Sequence, residues 1–537
     1  MTTLPARPAS RLSRRLAAAM CTASTAAAMV LPAASLAQDA DPSHAPAPCR
    51  VDGLRHEVLC GRVSRPLDPA QPAGRRIDVH YVVVPATALA KRPDPVFFFA
   101  GGPGQSAIAL AGRVMPLFQR LNNRRDIVFI DQRGTGRSAP LTCASDDALP
   151  LAERLDPDRA IARLHACRET LQALPHGDLR RYTTVIATTD AEAVRAALGA
   201  PQVNLVGGSY GSRAALDYLR QFPARVRRVV LDGVAPPDMA LPRSLSLDTA
   251  AALEALFADC ARDAACTARH PKLRERWQTL LASLPARMSA VDPATGITST
   301  VTLRRETVAA AVRGPLYAPA LAAALPFAIN EALAGRAAPL IGLAGSLGGG
   351  TRALETAEGM HFSVVCAEDM PRLDAPPATG TRSGATADAA ADETVWNRTD
   401  AAAPAQAANA FSQAFLRPYR EVCADWPRSE VPPAFYTLPR STVPLLAFSG
   451  TLDPVTPPRH GERVVRALGA VESGGKARHV VVANVGHGVF AVDCTREVLQ
   501  RFIDVESEAD AMSADASCLA GLPRPPAFEP PRPELAG

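Results

Sequence analysis

The sequence predicts an α/β fold, with a mostly parallel central sheet and an inserted, mainly helical cap. Three observations support this prediction. Between residues 126 and 231, short apolar runs that suit buried strands alternate with segments of helical spacing, as a parallel sheet requires. From residue 236 to about 440 the pattern becomes helical and rich in alanine and leucine. Two further apolar runs then follow, so we expect the sheet to resume after the insertion.

The composition is that of an ordinary globular protein. The chain has 537 residues, of which 47% are hydrophobic and 21% charged, and its formal net charge is +5. This length allows two domains or one domain with a large insertion. Beyond the N-terminus there is no basic run with interleaved aromatic residues, so we expect no nucleic-acid partner.

Residues 1–37 are predicted to be an export signal, and residues 38–48 a mobile leader. The segment begins with positive charge and continues as an alanine-rich apolar run. Small residues at Ser35 and Ala37 suit cleavage. Because the run is weakly hydrophobic and contains Pro32, we expect no stable membrane span. The expected location is the periplasm or the medium.

Ten of the eleven cysteines follow the predicted signal. An even number in an exported chain argues for disulfides. Neighbours in sequence pair most naturally, although spacing alone does not prove the connectivity. These pairs are Cys49 with Cys60, Cys143 with Cys167, Cys260 with Cys266, Cys366 with Cys423, and Cys494 with Cys518. The C-x-x-C or Cys/His clusters that metal ligation would want are missing from the sequence, so we expect no metal.

Residues 49–240 are predicted to form the first part of the core. A disulfide-closed segment over residues 49–60 precedes a partly exposed strand over residues 76–84. A helix is predicted over residues 183–198, ended by Gly199. Buried strands are predicted over residues 95–100, 126–130, 203–206 and 228–233.

The third of these buried strands runs into Gly207-Gly208-Ser209-Tyr210-Gly211, a G-x-S-x-G pattern followed by helical spacing. A strand, a tight turn and a helix would place Ser209 on a nucleophile elbow. Glycines at 207 and 211 carry no Cβ where strand and helix crowd together. The alternative interpretation is a glycine-rich turn with an incidental serine. Catalytic partners further along the chain would distinguish the nucleophile elbow from such a turn.

A second turn, Gly101-Gly102-Pro103-Gly104, follows an earlier buried strand. It has no bulky side chains, so its backbone N–H groups can approach a substrate oxygen. Such a sequence can also be a plain turn. Its place at the end of a central strand favours the oxyanion role.

The cap is predicted over residues 241–440, with helices near residues 245–260, 273–284 and 307–334 and no strong strand alternation. Residues 375–408 are poor in large apolar side chains and are predicted to be a flexible loop. Residues 441–537 form the C-terminal part of the core, with strands near residues 443–450 and 478–484 and a closing helix over residues 495–505.

Two polar residues follow these last strands, Asp453 and His487. The order Ser209, Asp453, His487, each just beyond a predicted strand, is the order expected of an α/β hydrolase. A serine hydroxyl needs a base to take its proton, histidine can be that base, and a buried carboxylate orients the imidazole. Each residue alone would be unremarkable, but their joint occurrence with the elbow predicts a catalytic triad.

With these motifs the chain resembles the exported α/β-hydrolase peptidases of the prolyl aminopeptidase and tripeptidyl aminopeptidase type. Residues 450–458 and the Gly486-His487-Gly488 turn match as well, and the C-terminal part resembles the tripeptidyl-aminopeptidase-like module. Relatives often have histidine before the Gly-Gly-Pro-Gly turn, where this chain has Ala100. The backbone donors survive that change.

The resemblance implies an exported serine hydrolase, most simply an aminopeptidase that cleaves residues or short peptides from free peptide N-termini without a cofactor. Ser209 would attack the substrate carbonyl group, His487 would move the proton, and Asp453 would orient His487. The N–H groups of Gly102 and Tyr210 would hold the oxyanion.

The family also implies a carboxylate in the cap for the substrate's ammonium group, and Glu368 in Val365-Cys366-Ala367-Glu368-Asp369 is the candidate. An acidic, solvated turn is the other interpretation of that segment. Two other functions stay open: a carboxylesterase with the same triad, and a catalytically idle secreted binding protein. Preferred N-terminal residues, the number of residues released and the oligomeric state are left undetermined by the sequence.

Overall fold

The computed structural model describes residues 45–346, 355–373, 405–438, 441–471 and 474–530. The predicted export signal lies outside the described residues, as do residues 38–44 of the predicted leader and residues 375–404 of the predicted loop. The described part of the leader is not irregular throughout, because Ala47–Cys49 is a strand. Likewise, the last four residues of the predicted loop begin a helix, Ala405–Cys423.

Within the described ranges, a nine-stranded sheet and a separate hairpin contain the strands. In chain order these are β1 (Ala47–Cys49), β2 (Val58–Pro66), β3 (Arg76–Val84), β4 (Val96–Phe99), β5 (Ile127–Ile130), β6 (Val203–Gly208), β7 (Val226–Asp232), β8 (Ala286–Val291), β9 (Thr298–Leu303), β10 (Leu445–Gly450) and β11 (Ala477–Val482). The large sheet has the order β1-β2-β3-β5-β4-β6-β7-β10-β11.

The part of the sheet that holds the predicted site is parallel. β5, β4, β6, β7, β10 and β11 pair in parallel, whereas β1, β2 and β3 form an antiparallel edge. β4 and β5 are buried along their whole length, as expected of strands covered by helices on both faces. The carboxyl ends of β4, β6, β7 and β10 therefore meet at one edge, where the Gly101 turn, Ser209 and Asp453 follow their strands.

Helices cover both faces of the sheet and make up most of the insertion. They are α1 (Ala107–Phe118), α2 (Leu151–Arg154), α3 (Pro157–Gln172), α4 (Thr184–Ala197), α5 (Tyr210–Gln221), α6 (Leu241–Arg262), α7 (Ala264–Arg269), α8 (Leu273–Ala282), α9 (Arg305–Ala311), α10 (Arg313–Leu316), α11 (Pro319–Ala322), α12 (Leu325–Leu333), α13 (Ala338–Gly345), α14 (Glu358–Glu368), α15 (Met370–Leu373), α16 (Ala405–Cys423), α17 (Pro458–Leu468), α18 (Thr495–Asp504) and α19 (Glu508–Met512).

The insertion differs from the sequence prediction in containing a β-hairpin. β8 and β9 pair antiparallel, although we expected no strand there. Their side chains do alternate: Met288 and Ala290 are buried, while Arg287 and Ser289 are exposed. β9 does contain β-branched residues typical of strands, Thr300, Val301 and Thr302, so the strand signal is present in the sequence. It is easily overlooked because each strand is only six residues long and the hairpin lies between helical segments.

The helical stretch predicted over residues 307–334 is also broken into four short helices, α9 to α12. Prolines explain two of the three breaks, since Pro319 and Pro326 stand in the first turns of α11 and α12. A proline lacks the N–H that would continue a preceding helix but is tolerated in a first turn. One of the resulting joints carries Tyr317 towards the predicted site.

The insertion has a hydrophobic core of its own. Leu253, Trp277, Leu325 and Phe411 are buried together in it, and Trp277 stacks on Phe411 with ring centroids 6.4 Å apart. Two further clusters lie on the faces of the large sheet. A cap with its own core can present a defined surface over the carboxyl edge of the sheet.

Ten cysteines lie in the five pairs that sequence proximity suggested, with Cα atoms 5.2 to 6.2 Å apart. Such pairing fits an extracellular protein. In the described ranges, none of the helices has the length and apolarity needed to span a membrane.

Candidate active site

Ser209 stands on a strained turn between β6 and α5. Its φ of 55° and ψ of −126° lie outside the regions that a serine normally adopts, and such strain collects at functional sites. The flanking glycines are required by close backbone approach. A Cβ at Gly207 would lie 2.3 Å from the Gly211 carbonyl oxygen, and one at Gly211 would lie 2.0 Å from that of Phe99. The G-x-S-x-G spacing therefore has a steric cause.

Two backbone amides face the same cavity as Ser209. Tyr210 begins α5, so its N–H has no partner one turn earlier in the helix. Gly102 has a φ of 111°, and a Cβ there would lie 2.6 Å from the Gly104 nitrogen. No hydrogen-bond acceptor is found for either amide among the described residues. Both amides remain able to donate to an oxygen brought next to Ser209.

His487 and Asp453 form a hydrogen-bonded pair. The Nδ1 atom of His487 lies 2.8 Å from Oδ2 of Asp453. The Asp453 carboxylate also accepts bonds from the backbone N–H groups of Val455 and Thr456 and from the Thr456 hydroxyl. Because the Asp453 carboxylate can only accept, Nδ1 carries the proton of the neutral imidazole and Nε2 is unprotonated. This is the tautomer that a general base needs.

The same pair shifts both pKa values. Burial lowers the pKa of His487, but the charge and hydrogen bond of Asp453 act the other way and raise it above 6.5 overall. Burial also acts to raise the pKa of Asp453. The imidazole and the backbone N–H groups outweigh this effect, so the pKa of Asp453 is lowered overall. Asp453 is therefore ionised, and protonated His487 is stabilised beside it.

The loop that carries His487 is held from two sides. Its backbone N–H donates to the Tyr317 carbonyl oxygen at 2.9 Å, and the Tyr317 ring meets the imidazole edge-on with centroids 4.9 Å apart. From the sheet, Asp232 accepts the N–H groups of Val489 and Phe490 at 3.0 and 2.8 Å. Burial raises the pKa of Asp232 to about 6. Asp232 thus anchors the loop, while Asp453 contacts the imidazole itself.

Ser209 and the histidine loop meet at the end of β7. The Ser209 N–H donates to the Asp232 carbonyl oxygen at 2.8 Å. At the next residue, Gly233, a Cβ would lie 3.1 Å from Cε1 of His487. No hydrogen bond joins Ser209 Oγ to His487 in the part of the chain that the structure describes, and such bonds are often long until a substrate is bound.

A cavity of about 60 Å³ opens beside Ser209. The predicted residues Ser209, Gly102 and Tyr210 line it, together with cap residues that sequence reasoning did not select. The charged and aromatic ones among those cap residues are Arg313, Tyr317, His361 and Tyr419. They come from α10, α14, α16 and the joint after α10, and helical spacing alone does not show which side of a cap helix faces the site.

A larger cavity of about 410 Å³ lies between the cap and the C-terminal segment. Asp453 and Leu452 reach its wall, but Ser209 does not. Its remaining walls combine alanine, proline and leucine side chains with charged ones, which are Asp248, Asp259 and Asp263 of the cap and the arginines Arg459 and Arg524. The smaller cavity is therefore the one that holds Ser209 and the two free amides.

Glu368 does not line the Ser209 cavity. Its side chain is fully buried, and its carboxylate accepts the Thr184 backbone N–H at 2.6 Å and the Thr184 hydroxyl at 2.9 Å. That places a carboxylate at the N-terminus of α4, where the helix dipole favours it. The Thr184 hydroxyl lies 2.7 Å from the Tyr210 hydroxyl. Glu368 therefore supports the side chain of Tyr210 from behind, which is a different position from the one the sequence suggested.

Arg213 separates these acids from the cavity. It lies 2.9 Å from Asp369 and 3.5 Å from Glu368, so one guanidinium faces two buried carboxyl groups. Burial raises the pKa of both acids, that of Glu368 to about 7. An acid with a raised pKa in this position is poorly suited to hold a substrate's ammonium group.

Comparisons with known proteins agree with this architecture. Residues 94–320 match the family described as alpha/beta hydrolase fold, and residues 408–518 match the family described as TAP-like protein. The serine protease Hip1 of Mycobacterium tuberculosis is 32% identical over 238 residues, which are 41% of this chain and 45% of that protein.

Two other relatives have different names. The tripeptidyl aminopeptidase of Streptomyces lividans is 32% identical over 207 residues, or 35% of this chain and 38% of that protein. Carboxylesterase B of Mycobacterium tuberculosis is 28% identical over 223 residues, which are 38% of this chain and 42% of that protein. The chain spans less than half the length of the curated relatives it matches. The chain has the α/β-hydrolase fold, its residues 408–518 are similar to the TAP-like family, and these similarities support a serine hydrolase.

Proposed function

We propose that this protein is an exported serine hydrolase that acts as an aminopeptidase, cleaving residues or short peptides from free peptide N-termini. The observation that carries the proposal is the strained Ser209, beside two unpartnered amides and next to the loop of the His487–Asp453 pair. The relatives named as a serine protease and a tripeptidyl aminopeptidase support peptides as the substrate class. The paired cysteines support an oxidising compartment.

The first half of the reaction forms an acyl-enzyme. Ser209 Oγ attacks the scissile carbonyl carbon while Nε2 of His487 takes the hydroxyl proton. The carbonyl oxygen becomes an oxyanion and receives hydrogen bonds from the N–H groups of Gly102 and Tyr210. Asp453 stabilises the imidazolium through Nδ1. The C–N bond then breaks, and His487 returns the proton to the leaving amine.

The second half repeats these steps with water. His487 takes a proton from the water molecule as its oxygen attacks the acyl carbon. The bond to Ser209 Oγ breaks, and the same proton returns to the serine. The product acid leaves and the free enzyme is restored, so no cofactor is needed in this scheme.

A carboxylesterase with the same triad is the second candidate, and one observation favours it. No carboxylate lines the Ser209 cavity among the described residues, whereas recognition of a free N-terminus calls for one. The Carboxylesterase B relative points the same way. Ester and amide hydrolysis share the acyl-enzyme, so the cap decides between them.

Ser209→Ala tests the proposal, with Ser289→Ala on the exposed side of β8 as the matched control. Both variants and the native protein are assayed with aminoacyl and tripeptidyl anilides, their N-acetylated forms and short acyl esters. We expect Ser209→Ala to lose nearly all turnover and labelling by a fluorophosphonate, with an unchanged circular dichroism spectrum. Residual turnover near the native level would overturn the triad, and equal cleavage of blocked peptides would favour the esterase.

A further inference from the structure

The Ser209 cavity contains a cation that no carboxylate of the described residues neutralises. Arg313 begins α10 and lines this cavity. Its guanidinium carbon lies 5.5 Å from the ring centroid of Phe415 and 6.0 Å from that of Tyr317. Among the described residues, no Asp or Glu lies within salt-bridge distance of it. The rings attract the cation and the Tyr317 hydroxyl hydrogen-bonds to it, but these neutral partners do not balance its charge.

Arg213, the other arginine of the cavity, is in a different situation. Asp369 and Glu368 lie on its far side, and its Nη2 donates to the Met239 carbonyl oxygen at 2.8 Å. Its charge is therefore balanced from within the protein. The contrast isolates Arg313 as the source of uncompensated positive charge next to the nucleophile.

The remaining polar groups of the cavity are neutral. Burial lowers the pKa of His361 to about 4. Its Nδ1 lies 3.1 Å from the Pro103 carbonyl oxygen, which can only accept, so Nε2 accepts from the Tyr419 hydroxyl at 2.8 Å. Burial also raises the pKa of Tyr419 and Tyr317. None of these groups supplies the negative charge that Arg313 lacks.

We propose that Arg313 determines substrate specificity by binding a carboxylate of the substrate in the cavity while Ser209 attacks a neighbouring carbonyl group. A guanidinium binds a carboxylate with two parallel charge-assisted hydrogen bonds. The cavity volume of about 60 Å³ is about that of two water molecules, which suits a small head group. This inference rests on the serine-hydrolase function proposed above.

The carboxylate has two possible sources. It is either the acidic side chain of the residue that supplies the acyl group or the free C-terminal carboxylate of a short leaving peptide. Matched substrate pairs distinguish them. One pair has glutamate or glutamine in the acyl residue, and the other has a leaving dipeptide that ends in a carboxylate or a carboxamide.

The experiment compares kcat/KM within each pair for the native protein, Arg313→Met and a control, Arg336→Met. Arg336 is exposed and pairs with Glu331 on the cap surface, so the control removes the same charge away from the cavity. We expect the native protein to prefer the acidic member of one pair, and Arg313→Met to reduce that ratio about ten- to hundredfold. The control should keep the native ratio.

The outcomes separate this inference from the function on which it rests. A native protein that prefers the neutral member of both pairs would overturn the role of Arg313 without any variant being needed. So would an Arg313→Met ratio within twofold of the native value. Turnover that persists in Ser209→Ala would instead overturn the hydrolase mechanism itself. If Arg313→Met does not fold, Arg313→Lys, which keeps the charge but loses bidentate geometry, should retain the preference at a smaller ratio, and an unchanged ratio would contradict the inference.

Discussion

Replacing Glu368 with glutamine is expected to destabilise the fold rather than to weaken substrate binding. The carboxylate is fully buried and accepts two hydrogen bonds from Thr184, at 2.6 and 2.9 Å. Glutamine offers one acceptor oxygen and brings an amide nitrogen with two N–H donors. The Thr184 hydroxyl can accept one of them if its own proton turns to Tyr210, and Arg213 can accept none. Leaving one buried group unsatisfied costs about 1–3 kcal/mol. Asp369 still neutralises Arg213 at 2.9 Å, so the larger penalty of an unpaired buried charge does not arise.

The pH dependence of this destabilisation follows from the raised pKa of Glu368. Burial moves that pKa from 4.5 to about 7 in the folded protein. Between these values the folded state binds more protons than the unfolded state, so native stability falls as pH rises. Glutamine does not titrate. The stability deficit of the variant should therefore be largest at and below the lower pKa of 4.5, shrink as pH rises towards the upper pKa of about 7, and level off above it.

Urea unfolding at several pH values measures the deficit, with kcat/KM and KM for free and N-acetylated peptides measured in parallel. Glu462→Gln is the control, because Glu462 is exposed and pairs only with Arg466 on the surface of α17; surface changes of this kind stay within about 0.5 kcal/mol. If Glu368→Gln is as stable as the native protein and raises KM only for free N-termini, then Glu368 binds the substrate's ammonium group and the structural reasoning is wrong.

The remaining predictions concern the triad and the elbow. Asp453→Asn should lower kcat by about 10³–10⁴, because an amide cannot hold the same His487 tautomer. His487 must be neutral to act as a base and its pKa is raised above 6.5, so native kcat/KM should fall as pH drops through that raised value, and the fall should move to lower pH in Asp453→Asn. An identical pH–rate profile for the two proteins would contradict this. Gly211→Ala puts a Cβ 2.0 Å from the Phe99 carbonyl oxygen, whereas Gly208→Ala meets nothing within 4 Å. Thermal unfolding should show a loss of about 3 kcal/mol for the first and little for the second; equal losses would refute the steric account of the elbow.

Much of the fold could be predicted because its signals are local. The buried strands β4, β5, β6, β7 and β10 are short apolar runs, and the turns after them contain glycines whose sterics can be read directly. The hairpin of β8 and β9 and the breaks between α9 and α12 were missed for local reasons too. Each strand of the hairpin is only six residues long and lies among helical segments, and prolines inside an apolar stretch can begin a new helix as well as end one.

The sequence by itself determined the α/β core, the elbow at Ser209 and the order of Asp453 and His487, because parallel strands bring the residues at their carboxyl ends to one edge. Only the tertiary structure decided what surrounds them. Glu368 and Arg313 are both charged cap residues, and the acidic motif beside Cys366 pointed to Glu368 as the residue that binds substrate, while no motif marked Arg313. Packing buries Glu368 against α4 and α5, behind Arg213, and leaves Arg313 in the cavity without an acidic partner among the described residues. Which charge meets the substrate depends on how helices far apart in sequence pack together, and that is a property of the folded chain.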